Sequence, residues 1–289
     1  MRPLDGSGSR SKEKKPADGR LQARLRISPG LPTILVGSYS LEYPHSICLV
    51  QSLMTVAGWR YRRDFHDAWT FEKLRYGTMT AENLAKRLFR NPSLVPDVIN
   101  GVSSHKSSMR FACAKALRIL SNEKPEMLYP EFDHFVELLG STNNIIKWNV
   151  IDVLANLTVI DDEKRFEPIF DKYCGLPRDT IMITAAHVID NSPTIAKSKP
   201  SLANRITAAL LEVEQLQRHS PECRNILIGK AIVAFDGYFE QIEGKDKVMS
   251  FVKRQMSNSR NATRAKAHRF LERRVLPNLE RVKKEGEDA

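Results

Sequence analysis

The chain has 289 residues, 42% of them hydrophobic and 27% charged, so it can bury a sizeable core, and its composition is that of an ordinary water-soluble protein. No apolar run approaches the roughly 20 residues needed to cross a bilayer, and the basic N-terminus is not followed by the apolar stretch of a signal peptide. The formal net charge of +11 is unevenly spread, +5 in residues 1–30, +1 in residues 31–78 and +5 in the rest, and the moderate excess in the repeat region weakens any argument for a polyanion partner from the pI alone.

Residues 1–30 are rich in Gly, Ser, Pro and charge and almost lack large apolar side chains. They cannot bury enough surface to offset the entropy of ordering, so a disordered basic tail is expected. Residues 31–78 hold many aromatics, among them Tyr39, Trp59, Phe65 and Trp69, yet keep neither a helical nor a strand period for long. They read as a poorly ordered extension. Because a clean amphipathic pattern starts at Met79, that residue could be close to the biological start, with the preceding segment outside the native protein. The four cysteines, Cys48, Cys113, Cys174 and Cys223, are too far apart for a CxxC pair. A reducing compartment and a cytoplasmic location are therefore expected, without structural disulfides or a bound metal.

From Met79 a helical pattern returns at steps of 35 to 43 residues. Lys115-Ala116-Leu117 aligns with Asp152-Val153-Leu154, His187-Val188-Ile189, Lys230-Ala231-Ile232 and, more loosely, Lys266-Ala267. Such a period is that of a helical hairpin that buries its apolar side only against its neighbours. The first pair spans about Thr80–Arg90 and Ser93–Val102, with Thr80 as N-cap and Asn91-Pro92 as the turn. In the second, Met109, Cys113, Ala116 and Leu120 form a stripe ahead of a partner helix over Glu131–Leu139. The same offsets give Ile146, Val150, Val153 and Leu157 in the third, whose partner is expected to start at Asp161-Asp162-Glu163 and to stop at Gly175 before Pro177. The fourth uses Ile181, Ala185 and Val188, then Leu202, Ile206 and Leu210. The fifth uses Ile228, Ala231 and Phe235, then Val248, Phe251 and Val252. A half-formed copy covers about Ala262–Arg274, and residues 277–289 read as a charged tail. The residue before each aligned position is Ala114, Ile151, Ala186, Gly229 or Ala265, small in four of five cases, as close helix approach requires.

The segments Ser108–Leu120 and Lys147–Leu157 resemble the helices of HEAT repeats, and the resemblance covers roughly residues 79–276. It implies an all-α fold, a right-handed α-solenoid of about five to six HEAT-like hairpins, and a role as scaffold or adaptor. No third short helix per repeat is evident, which sets the pattern apart from armadillo repeats.

Trp148 and Asp152, four residues apart, share one helix face. Bacterial HEAT-like DNA glycosylases use a Trp–Asp pair at that spacing, so the resemblance implies nucleotide contact for Trp148 and a catalytic carboxylate for Asp152; the alternative is a wedge Trp with an Asp bonded to the next repeat. Some HEAT-like hydroxylases hold iron through His-Glu dipeptides, which this chain lacks, and nucleophile elbows and phosphate loops are absent too. The column Lys115, Asp152, His187 and Lys230 either lines a mixed-charge ridge for a protein partner or forms a ladder between repeats. Lys266, Arg269 and Arg273, at i, i+3 and i+7, form a basic stripe that with Arg264 of the same cluster could meet phosphates or simply cap the stack with a polar face. The leading expectation is a non-catalytic scaffold, without cofactor, that binds a protein partner through Lys115, Trp148, Asp152, His187 and Lys230 on its concave face. Nucleic-acid binding through the basic stripe is the alternative.

Overall fold

Side-chain caps set three of the helix starts. The computed structural model describes residues 79–179, 181–216 and 220–287, without the side chains of 178–179 and 275–287; the two N-terminal segments lie outside these residues. Eleven α-helices occur among them: α1 Ala81–Arg90, α2 Val95–Gly101, α3 Ser107–Glu123, α4 Phe132–Leu138, α5 Asn144–Leu157, α6 Phe170–Asp179, α7 Met182–Ser198, α8 Ala203–Leu211, α9 Pro221–Gly237, α10 Lys245–Arg254 and α11 Asn261–Glu287. The Thr80 hydroxyl accepts from the Asn83 amide at 3.2 Å. Asn143 caps α5 through the Ile145 and Ile146 amides, and Ser220 caps α9 ahead of Pro221. Each satisfies donors that a helix start leaves unpaired.

The odd-numbered helices stack in sequence, α1 on α3, α3 on α5 and so on to α11, and α2, α4, α6 and α10 pack mainly on the odd-numbered helix that follows each, α8 on the α7 before it. No strand occurs among the described residues. The chain there is an all-α solenoid of five hairpins closed by α11. Successive odd-numbered helices lie in closer contact than successive even-numbered ones; they form one continuous layer, termed inner below. One continuous core joins the repeats, filled by Leu117, Leu120, Val150, Val153, Leu157, Phe235 and Phe251 among others.

A short 3-10 turn precedes every even-numbered helix: Pro92–Leu94, Pro125–Met127 with Tyr129–Glu131, Glu167–Ile169, Pro200–Leu202 and Phe239–Gln241. Each unit therefore has a third helical element, contrary to the two-helix expectation. Three or four residues leave no periodic trace, and in four of the units only the proline, at the start of the turn or just inside it, marks the element in the sequence.

Three local expectations fail for tertiary reasons. The residues after Asp161 do not begin a helix; they form an irregular loop in which Lys164 takes φ 57°, because Asp161 turns inward. The helix expected to stop at Gly175 runs on through Pro177 to Asp179, and that turn carries Cys174 and Leu176 onto the core, so packing overrides the stop signal. Ile181, expected in the stripe of the fourth repeat, is the exposed N-cap of α7. Past Pro277 the backbone of α11 stays helical to Glu287.

The small-residue column is where the inner helices meet. Ala114, Ile151, Ala186 and Gly229 are buried, whereas Ala265 on α11 is exposed. A Cβ on Gly229 would stand 2.8 Å from the Thr263 hydroxyl oxygen. Gly229→Leu should destabilise by about 1–3 kcal/mol through overpacking, measured by urea unfolding; unchanged stability would mean that α11 does not dock this closely.

Candidate functional site

The exposed surface of the inner helices carries two parallel rows. The first is polar and contains the aligned column. Lys115 on α3 pairs with Glu82 on α1 at 2.7 Å, and this contact, with the Glu82 backbone amide, holds the Glu82 carboxyl down to about 2. Asp152 on α5 is a hub: Arg118 from α3 reaches Oδ2 at 3.2 Å, while His187 Nδ1 lies 2.8 Å and Asn191 Nδ2 2.7 Å from Oδ1, both on α7. Asp190 on α7 then meets Lys230 on α9 at 2.5 Å. The ladder thus runs from α1 to α9, and every rung joins one repeat to the next.

The second row lies one helical turn N-terminal to the first and is apolar: Phe111, Trp148, Ile183 and Ile226, one from each of four successive inner helices. Phe111, Trp148 and Ile226 are half-buried, and Ile183 is 43% exposed. Exposed Ile145 and Ile181 lie beside it. Trp148 stacks on His187, with ring centroids 6.0 Å apart and planes 9° from parallel, and its indole N–H donates to the Thr184 hydroxyl at 2.9 Å. It therefore ties the apolar row to the polar one. The aligned register pointed to the polar row; the apolar row follows from the same register read four residues earlier, but Phe111, Ile183 and Ile226 look like core residues in sequence.

Both oxygens of Asp152 are engaged, and the Trp148 indole N–H is taken by Thr184, so the pair ties α5 to α7. Among the described residues, no three His, Cys, Asp or Glu side chains gather as a metal site requires, and no helix is long and apolar enough to cross a membrane.

The residues of the basic cluster sit in different surroundings. Arg264 donates to the Asn258 and Ser259 carbonyls and to Asn261, closing the turn before its own helix. Arg273 pairs with Asp236 at 2.8 Å. Arg269 is exposed and reaches only the Ala265 carbonyl of its own helix. Lys266 is half-buried against α9, its ammonium 3.6 Å from where a Cβ on Gly229 would stand.

A second polar centre escaped the sequence reading, which took Asp161 for a helix-start acid. Its carboxylate is 2% exposed and accepts from the Tyr129 hydroxyl at 2.6 Å and from the Arg165 and Phe166 amides at 2.8 and 3.0 Å. Lys199 approaches the same carboxylate at 2.9 Å and also donates to the Asp161 carbonyl. Burial pushes the Asp161 carboxyl up, but the Tyr129, Lys199 and amide donors outweigh it and hold the group below its ordinary value of 3.8. Burial and this same bond push the Tyr129 hydroxyl up to about 12. Three repeats meet at one buried charge. The only hint in the sequence is an acid just after a helix, with tyrosine and lysine about one repeat away on either side.

No protein-family model and no curated protein matches the chain. Among solved structures, a designed armadillo repeat protein is similar over 70% of this chain and 90% of its own, at 15% identity and a TM-score of 0.46. A second structure, described as an engineered protein, is similar over 70% of this chain and 86% of its own, at 14% identity and a TM-score of 0.41.

Proposed function

We propose that this protein is a non-catalytic helical-repeat scaffold, HEAT-like in the two main helices of each unit, whose inner face holds an extended segment of a protein partner. The observation that carries this is the apolar row Phe111, Trp148, Ile183 and Ile226 beside the polar ladder. An apolar row continued over four repeats favours partner side chains, since scattered surface apolar residues have no reason to align. The adjoining Asp190, Lys230, Lys115 and Glu82 keep part of their surface in water and can bond to a backbone laid across the helices. Trp148 is the natural anchor, being large, amphipathic and already held rigid.

Ile183→Glu tests the reading. The side chain is exposed, so folding should change by no more than about 0.5 kcal/mol. Peptides selected from a displayed random library on the wild-type chain should lose at least about tenfold in affinity for this variant, roughly 1.4 kcal/mol. Equal affinity for both chains, by fluorescence anisotropy, would rule out the inner face as the binding surface.

A further inference from the structure

The apolar row ends beside a group of cations that outnumbers the acids paired with it among the described residues. Ile226 lies one turn before Lys230 on α9, and Lys266 of α11 extends over Gly229 beside it. Lys230, Arg260 and Arg269 are each close enough to act electrostatically on Lys266. Among the described residues, two acids pair with members of this group. Asp190 is spent on Lys230 at 2.5 Å and Glu222 on Arg260 at 2.8 Å. Lys266 has no ion-pair partner among the described residues, and burial, then Lys230 and Arg260, pushes its ammonium below the ordinary lysine value despite Asp190. A half-buried ammonium among like charges is costly unless an anion arrives with the ligand.

We infer that Lys266, with Lys230, Arg260 and Arg269, forms an acceptor for a carboxylate side chain of the bound segment, so that the partner is an acidic peptide with its apolar residues on the Phe111–Ile226 row and a glutamate or aspartate at α11. This rests on the scaffold reading and adds the partner's charge and direction: the acid lies at the C-terminal end of the stack. A duplex nucleic acid would need a broad field of uncommitted cations, and Arg264 and Arg273 are already engaged.

The test uses the full chain and end-blocked fluorescent peptides that alternate leucine with glutamate, leucine with lysine, or serine with glutamate, and in addition a duplex oligonucleotide. The leucine–glutamate peptide should bind best, and its affinity should fall as salt screens the charge. Lys266→Glu should weaken it at least about tenfold, and Lys266→Met, which keeps the apolar stem and so guards against a folding defect, about threefold to tenfold. If both variants bind that peptide like the wild type while Ile183→Glu does not, the acid acceptor is wrong and the scaffold reading stands. Failure of both leucine peptides on the wild-type chain overturns both. Tighter binding of the oligonucleotide than of any peptide, lost in Lys266→Glu, overturns the inference in favour of a nucleic-acid ligand.

Discussion

Asp161→Ala is expected to cost about 3–5 kcal/mol of folding free energy, because it strands Lys199, 8% exposed, inside the protein without its main counter-charge. Glu167 stands 3.6 Å from Lys199 and compensates only in part. The same change removes the acceptor for Tyr129 and for two loop amides, so the left-handed turn at Lys164 loses what holds it. Asp161→Asn keeps an acceptor oxygen but not the charge, and should fall between the two. The pH dependence follows from the sign of the shift. The folded carboxyl titrates below its ordinary value of 3.8, so its stabilisation is complete above about pH 4 and is lost as pH falls through the lower folded value. Urea midpoints should therefore drop more steeply in acid for the wild type than for Asp161→Asn. Parallel curves would show that this carboxylate does not carry the linkage.

Phe235→Ala is expected to cost about 3–5 kcal/mol. The ring is fully buried on α9, edge-on to Phe251 of α10 at 5.6 Å and near Tyr238 at 6.4 Å, so its removal opens a cavity at the joint of the fifth hairpin. Contacts in a solenoid run mainly between neighbours, and the loss should be local. Hydrogen exchange should show α9, α10 and α11 losing protection while α1 to α5 keep theirs. Uniform loss along the chain would mean that the stack unfolds as one cooperative block.

These two changes and the ladder share one principle. The polar bonds between repeats mostly join residues about one repeat length apart: Trp148 to Thr184, Asn156 to Ser121, Lys230 to Asp190, Arg254 to Glu214 and Arg274 to Asp236. The apolar core holds neighbouring repeats together without fixing their register, whereas directional bonds at one-repeat spacing specify it. The column Lys115, Asp152, His187 and Lys230 takes part in this register. The apolar row beside it joins this register through Trp148.

The amino-acid order determined by itself the helical class, the repeat, most of the buried stripes and the cap at Thr80, because these depend on a period of 3.6 residues and on side chains bonding to backbone three residues away. It also marked the joint at Gly229, since only a small residue fits where two helices touch. The tertiary structure alone decided the fate of the charged and borderline residues. Asp161 went inward because Tyr129 and Lys199, each more than thirty residues away, meet it there. Pro177 stayed in a helix because the core needed the turn that holds it, and Ile183 stayed outside because, among the described residues, no helix covers that face. Local sequence encodes short-range geometry; the partners of a charge and the neighbours of an apolar side chain are set only when distant segments pack.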